Sequence, residues 1–220
     1  MALFITFEGG EGSGKSVQTG ALYRRLSQLA IPAILTHEPG GTLLGKKLGR
    51  QLKWAEGTDI SPVSELLLFN ASRAQLVDEV IQPNLEKGRI VICDRYADST
   101  IAYQSYGRGL DLQMVKTVNS AATQGLKPNL TLLLDISAEE GLARKKTKRQ
   151  DRFEGEDIAF HQRVREGYLK LAANDPERWL VVDASLPRAK VTEIIWQKVK
   201  QLLSAQNQRL TSKVEILGED

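Results

Sequence analysis

The segment Phe4–Ser16 most constrains the fold of this chain, because it joins an apolar run to a glycine-rich stretch. The apolar run predicts a strand buried on both faces. Leucines at helical spacing follow, so the glycines are expected to connect a strand to a helix. Within the segment, Gly9, Gly14, Lys15 and Ser16 have the spacing of a phosphate-binding loop.

The residue types in this loop suit a polyphosphate. Glycines let backbone N–H groups approach phosphate oxygens, and the positive end of the next helix points at the same anion. We expect Lys15 to reach the β- and γ-phosphates, and the Ser16 hydroxyl to join a Mg²⁺ shell. The predicted donor-binding residues are Gly9, Gly10, Glu11, Gly12, Ser13, Gly14, Lys15 and Ser16.

Five apolar, β-rich runs alternate with helical segments along the chain. They are Leu3–Phe7, Ala33–Thr36, Ile90–Cys93, Leu130–Leu134 and Leu180–Val182. This alternation predicts an α/β fold, a five-stranded, mostly parallel sheet with helices on both faces. In such sheets ligands bind beyond the carboxyl ends of the strands. We expect one domain over residues 1–205 and a loose polar tail over 206–220.

Charge is concentrated in one place. The segment Arg144–Arg152 has six basic residues and one acidic residue, which gives it a net charge of +5. Because the whole chain has a net charge of +3, the remaining residues sum to −2. This confinement argues against an extended nucleic-acid surface. It favours a mobile basic lid, at about 143–155, that closes over phosphates, although a solvated helix face is the alternative.

Membrane and secretory classes are not favoured by this sequence. It has no run of 18 apolar residues and no signal-peptide pattern at its start. The single cysteine, Cys93, ends an apolar run and is expected to be a buried strand residue. A cytoplasmic location is consistent with these features.

Acidic residues follow two of the predicted strands. Asp94 and Asp135 each end an apolar run, and either could be a water-mediated Mg²⁺ ligand beside the loop. Arg95 favours Asp94, because an acceptor phosphate needs a bidentate cation at the same place.

A long helix is predicted over Ser61–Glu86, with Ser61 as N-cap and Pro62 at the first helical position. Its centre is apolar on every side, which indicates burial and suggests a second subunit on one side. Phe69 and Arg73 share a face and could stack on and hydrogen-bond a planar base.

Taken together, these segments resemble the bacterial thymidylate kinases over about residues 3–204. The motifs that carry the resemblance are Phe7–Ser16, Glu38–Thr42, Phe69–Arg73, Asp94–Tyr96, Ser99-Thr100, Tyr103-Gln104 and Gly107–Gly109. The resemblance implies a P-loop kinase that transfers the γ-phosphoryl group of ATP to dTMP with Mg²⁺, giving dTDP, and that forms a homodimer. One departure is His37, which precedes Glu38 where bacterial members often have arginine.

The resemblance also implies roles for matched residues. Phe69 would stack on thymine, with Arg73 and Gln104 on the base edge. Arg95 would hold the acceptor phosphate, and Tyr103 would disfavour a ribose 2′-hydroxyl. Ser99 and Thr100 would line the pocket, and Glu11 would meet the 3′-hydroxyl or the metal shell. The implied catalytic residues are Lys15, Arg95, Glu11 and a lid arginine, which could be Arg144, Arg149 or Arg152, because the loop has none.

Other nucleotide-dependent functions are less well supported. A GTPase would need an Asn-Lys-x-Asp stretch or an Asp-x-x-Gly switch motif, and the sequence has neither. A nucleic-acid-dependent ATPase fits poorly with one confined basic segment. A small kinase acting on another monophosphate or on a nucleoside is the nearer alternative.

Overall fold

A computed structural model describes residues 2–54, 59–145 and 150–217, with side chains as far as residue 205. The described residues contain one sheet of five parallel strands in the order β2-β3-β1-β4-β5. The strands are β1 Leu3–Glu8, β2 Ala33–His37, β3 Ile90–Asp94, β4 Leu130–Asp135 and β5 Trp179–Asp183. Each matches a predicted run, and the α/β prediction is confirmed.

Strand β1 lies at the centre of the sheet, between β3 and β4. Phe7 pairs with Asp94 on one side and with Leu132 on the other. The glycine-rich loop and the residues after β3 therefore emerge beside each other at the carboxyl edge. This is the switch point at which open parallel sheets bind ligands.

Both faces of the sheet are buried. Alternate side chains of β1 point to opposite faces, and on each face they join a hydrophobic cluster. Leu3, Ile5 and Phe7 join a core cluster with residues of the first and last helices, whereas Phe4 packs with Leu76 and Ile81 on the other side. The apolar, non-alternating character of β1 follows from this double burial.

The helices occupy the connections between strands. In chain order they are α1 Lys15–Gln28, α2 Leu43–Trp54, α3 Pro62–Leu76, α4 Gln82–Glu86, α5 Ala97–Thr100, α6 Leu112–Thr123, α7 Ala138–Arg144, α8 Ile158–Asn174 and α9 Arg188–Leu217. None of the described helices is both long enough and apolar enough to cross a lipid bilayer.

The predicted long helix is present but is interrupted. Ser61 caps α3 by accepting a hydrogen bond from the Ser64 amide at 3.3 Å, as expected. A π-helical turn, Val77–Ile81, then separates α3 from α4. Pro83 follows this turn and has no N–H to donate to the preceding turn, which accounts for a local change of helical register.

The carboxyl-terminal helix is longer than the sequence suggested. The sequence predicts a loose tail from residue 206, whereas α9 continues to Leu217. The backbone of residues 206–217 is therefore helical. Polarity without proline or glycine in that stretch does not prevent a helix from continuing.

Candidate active site

The loop between β1 and α1 wraps around the Lys15 side chain. The Lys15 Nζ donates to the carbonyl oxygens of Gly9 and Gly10, at 3.0 and 2.8 Å, and to the Ser13 hydroxyl at 3.2 Å. Gly12 has a φ of +66°, and a Cβ there would lie 1.8 Å from the Gly141 carbonyl oxygen. Glycine is thus required at this point both by conformation and by space.

The charges of the loop are strongly perturbed. Burial lowers the pKa of Lys15 to about 8, with Arg95 adding to the effect. Burial acts to raise the pKa of Glu11, but the cations Arg95, Lys15 and Lys145 outweigh it and hold that pKa far below its usual value. Glu11 is therefore an ionised carboxylate surrounded by positive charge, a place where a phosphate could compete for the same cations.

The first helix and the third strand bring two oxygen donors together. The Ser16 hydroxyl donates to the Asp94 carboxylate at 2.7 Å. Asp135, the alternative in the sequence, is instead engaged by Arg165 through two hydrogen bonds of 2.7 and 2.8 Å. The structure thus favours Asp94 as the carboxylate available beside the loop.

Arg95 lies at the junction of several elements. Its φ is +70°, an uncommon conformation for a residue with a side chain. Nη2 donates to Glu11 at 2.8 Å and to the Tyr103 hydroxyl at 3.1 Å. Nη1 donates to the Gly9 carbonyl, at 3.1 Å, and to the hydroxyls of Ser99 and Tyr168. The guanidinium is aimed at the glycine-rich loop.

A buried carboxylate lies behind Arg95. Glu8 is fully buried and accepts from the Tyr96 amide at 2.8 Å and from the hydroxyls of Ser99 and Tyr168 at 2.5 and 2.9 Å. Burial, with the negative charge of Asp98, raises the pKa of Glu8 to about 7. These bonds fix the two hydroxyls that contact the Arg95 guanidinium.

Aromatic side chains form the opposite wall. The Phe69 ring lies 5.7 Å from the Phe153 ring, and Phe153 lies 6.0 Å from the Tyr103 ring, centroid to centroid. The Tyr103 hydroxyl donates to Glu11 at 2.9 Å. Tyr103 therefore links this apolar wall to the charged loop.

Arg73 and Gln104, predicted to face a base, are both buried and bonded to carboxylates. The Arg73 guanidinium pairs with Glu38, at 2.6 Å from Nη2, and its remaining N–H groups reach Asn70, Asn119 and the Tyr96 carbonyl. All five of its N–H groups are thus occupied within the protein. The Gln104 amide nitrogen donates to Glu65 at 2.6 Å.

The basic segment Arg144–Arg152 places its described arginines at different points around the site. The side chain of Arg144 donates to the Ala184 carbonyl at 2.8 Å and borders the cavity. Arg149 lies outside the described residues. Arg152 bonds to the Leu52 carbonyl at 3.1 Å and pairs with Glu65, and it is absent from the described residues that line the cavity. These contacts hold Arg152 against α2 and α3.

A cavity of about 450 Å³ lies between the glycine-rich loop, Arg95 and the aromatic wall. The predicted site residues that line this cavity are Glu11, Gly12, Ser13, Gly14, Lys15, Ser16, Phe69, Arg73, Asp94, Arg95, Ser99, Thr100, Tyr103, Gln104 and Arg144. Gly9 and Gly10 instead hold Lys15 through their carbonyl oxygens.

Sequence reasoning missed several residues of this region. Lys145 pairs with Glu11 at 2.7 Å and also with Glu154, and Phe153 lies on the aromatic wall. Tyr168 lies on α8, 73 residues after Arg95, and its hydroxyl accepts a hydrogen bond from the Arg95 guanidinium. No local pattern marks Tyr168, whereas Lys145 and Phe153 lie within the proposed lid and could have been named individually.

Known proteins share both the sequence and the fold of this chain. Residues 7–195 match the model of the thymidylate kinase family. The chain is 56% identical over 208 residues to a thymidylate kinase of Dehalococcoides mccartyi strain CBDB1, covering 94% of this chain and all of that protein. It is 51% identical over 198 residues to a thymidylate kinase of Roseiflexus castenholzii, covering 84% and 86%.

A solved structure agrees with these relatives. The crystal structure of thymidylate kinase from Ehrlichia chaffeensis superposes with a TM-score of 0.74 at 33% identity, covering 90% of this chain and 98% of that chain. The region that matches the family, residues 7–195, contains the glycine-rich loop, Arg95 and the aromatic wall. This chain belongs to the thymidylate kinase family.

Proposed function

We propose that this chain transfers the γ-phosphoryl group of ATP to the 5′-phosphate of dTMP, producing dTDP. One observation carries the proposal: a single cavity joins the phosphate-binding loop to Arg95 and to the aromatic wall of Phe69 and Tyr103. A donor triphosphate on the loop and an acceptor nucleotide on the wall would then have their phosphates meet near Arg95. Membership of the thymidylate kinase family supports dTMP as the acceptor.

In this proposal the donor is held by residues 9–16. Backbone N–H groups of the loop and the N-terminus of α1 bind the phosphate oxygens. Lys15, now bonded to the carbonyls of Gly9 and Gly10, exchanges these for the β- and γ-phosphate oxygens. The exchange places anionic oxygens beside the buried ammonium group, which stabilises its protonated form.

The acceptor is placed by the opposite side of the cavity. Phe69 stacks on the base, Ser99 and Thr100 line its pocket, and Arg95 binds the 5′-phosphate. Tyr103 crowds the 2′ position of the sugar, and Glu11 meets the 3′-hydroxyl or the metal shell. Gln104 hydrogen-bonds the edge of the base. Arg73 does the same after it gives up one of the acceptors that it holds within the protein.

Charge stabilisation accounts for the chemistry. Phosphoryl transfer mainly requires positioning and neutralisation of the phosphate oxygens, and a phosphate monoester is already an anionic nucleophile. No general base is therefore assigned. Arg144 and Lys145 line the cavity and are the proposed lid cations, together with Arg149. Arg152, bonded to α2 and α3, is proposed to secure the lid.

The residues beside the loop fit Mg²⁺. This ion prefers oxygen ligands and takes few of them from protein when it binds a nucleotide. The Ser16 hydroxyl and the Asp94 carboxylate, 2.7 Å apart, are such a pair, and Asp94 would act through water. When bound, Mg²⁺ would neutralise charge on the β- and γ-phosphates.

An acceptor panel tests the proposal. The chain, ATP and Mg²⁺ are combined with dTMP, dUMP, UMP, dCMP, dAMP or dGMP, and diphosphate product is measured by chromatography. We expect dTMP to give the highest kcat/KM. The Lys15→Ala variant is the control for a contaminating kinase and should lose most turnover. Full turnover by that variant, or preference for another monophosphate, would refute the proposal.

We propose that the chain also forms a homodimer, as the resemblance of its sequence implies. Leu67 on α3 is 53% exposed and Val63, one turn earlier, is 45% exposed in the single chain. We propose that a second copy covers this apolar side of α3.

A further inference from the structure

We infer that Glu65 determines which pyrimidine the cavity accepts, by fixing the orientation of the Gln104 side-chain amide. This inference rests on the proposed function, because it concerns the base that the acceptor nucleotide carries. Gln104 lines the cavity, and Glu65 does not appear among its described lining residues. Glu65 therefore acts through Gln104 and is a positioning residue.

Glu65 is fully buried and has several donors around it. Its Oε1 accepts from the Gln104 amide nitrogen at 2.6 Å and from Arg108 at 3.3 Å. Its Oε2 accepts from Arg108 at 3.3 Å and from Arg152. The two guanidinium groups compensate the charge of this buried carboxylate, and removing both would leave it uncompensated.

An ionised carboxylate can only accept hydrogen bonds. A glutamine amide has an accepting oxygen at one end and a donating nitrogen at the other. If the Gln104 amide rotated by 180°, its oxygen would stand where the nitrogen now lies, 2.6 Å from a carboxylate oxygen. Two acceptors at that distance repel, so Glu65 holds the nitrogen on its own side. The amide oxygen is then the end turned away from Glu65.

The cavity therefore presents an acceptor at Gln104. Thymine and uracil carry an N–H at ring position 3, which can donate to this oxygen. Cytosine has a bare nitrogen at that position, so two acceptors would face each other in a buried site. Sites that hydrogen-bond a ligand reject an analogue that leaves the buried polar group unpaired by large factors. We expect dCMP to be disfavoured by roughly 10²-fold or more.

The test compares dTMP with dCMP in kcat/KM for the wild type and for Glu65→Gln. Glutamine at position 65 can offer either its oxygen or its nitrogen, so Gln104 is free to turn. We expect the dTMP-to-dCMP ratio to fall at least about tenfold, because a turned amide presents its nitrogen to the base, which suits the bare nitrogen of cytosine and opposes the N–H of thymine. If Glu65 has a structural role alone, both substrates lose activity in proportion and the ratio stays unchanged, which would overturn the inference.

Two further variants make the result decisive. Arg108→Gln removes one cationic partner of Glu65 but leaves the carboxylate against Gln104, so the ratio should stay near the wild-type value. Glu65→Asp keeps a negative charge near the two arginines but draws the carboxylate back by one methylene, which weakens its contact with Gln104. If Glu65→Gln does not fold, Glu65→Asp should still lower the ratio, and an unchanged ratio in it would count against the inference.

The wild type separates the two hypotheses. If it phosphorylates neither nucleotide, the proposed function fails and the inference fails with it. If it strongly prefers dTMP and every soluble Glu65 variant keeps that preference, the inference alone is refuted.

Discussion

The Ser16 hydroxyl lies 2.7 Å from the Asp94 carboxylate, although 78 residues separate them in the chain. Parallel pairing of β1 with β3 produces this contact, because it brings the end of β3 beside the start of α1. The contact distinguishes Asp94 from Asp135, which the sequence could not separate by pattern. Asp135 neutralises Arg165 instead.

Replacement of Asp94 by asparagine should weaken the use of Mg²⁺. We expect the Mg²⁺ concentration for half-maximal activity to rise about tenfold or more, because an amide oxygen is a weaker ligand than a carboxylate. The measurement is a Mg²⁺ titration of turnover at saturating ATP and dTMP. Asp135→Asn is the matched control and should leave the titration unchanged. Equal shifts in both variants would contradict the assignment of Asp94.

Loss of the Arg95 guanidinium should damage catalysis without unfolding the protein. For Arg95→Ala we expect kcat to fall at least about 10²-fold, since an arginine that aligns phosphates contributes on this scale or above it. Glu11 keeps Lys145 at 2.7 Å, so it is not left as an isolated buried charge. Steady-state kinetics, with circular dichroism to check folding, provides the measurement.

Arg165→Ala serves as the control for Arg95. Arg165 is 40% exposed and pairs with Asp135, so its loss should change kcat by less than about twofold. A near-normal kcat for Arg95→Ala, or loss of its folded structure, would count against the proposed role.

The fold was accessible from sequence because its signals are local. Each strand was an apolar run, and the glycine-rich loop required a particular strand–loop–helix context. The family prediction is confirmed as well. The end of α9 was misjudged, because polar residues are compatible with both helix and coil.

The partners of the site residues could not be predicted in the same way. Arg73 was expected to meet a base, yet Glu38, 35 residues earlier, holds it inside the protein. In the sequence, Glu65 is an acidic residue in the first turn of a predicted helix, a position where acidic residues are favourable. Its buried position against Gln104 depends on how α3 packs with the segment after α5, which no local pattern encodes.

Glu8 should make stability depend on pH. Its pKa is about 7 when folded and 4.5 in the reference state, so the folded chain binds the proton more tightly. The free energy of unfolding should then fall as pH rises from about 4.5 to about 7, and stay lower above that. The shift corresponds to about 3 kcal/mol at most.

Glu8→Gln removes this titration and is close to the same size. The difference in unfolding free energy, variant minus wild type, should therefore increase between pH 5 and pH 8.5. Urea denaturation at both values measures it, and the absolute stability of the variant does not affect the comparison. Parallel behaviour of the two proteins across this range would show that Glu8 is not titrating there.

A charge on the exposed apolar side of α3 should break the proposed dimer. Leu67 is 53% exposed in the single chain, and Met114 on the neighbouring α6 is 36% exposed. In a dimer interface, glutamate at position 67 would be a buried unpaired charge. We expect Leu67→Glu to give a monomer or insoluble protein. Multi-angle light scattering of the wild type and the variant measures the change.

Leu29→Glu alters an equally exposed leucine at the end of α1 and should leave the mass unchanged. A wild type that is already monomeric, with Leu67→Glu unaffected, would refute the dimer.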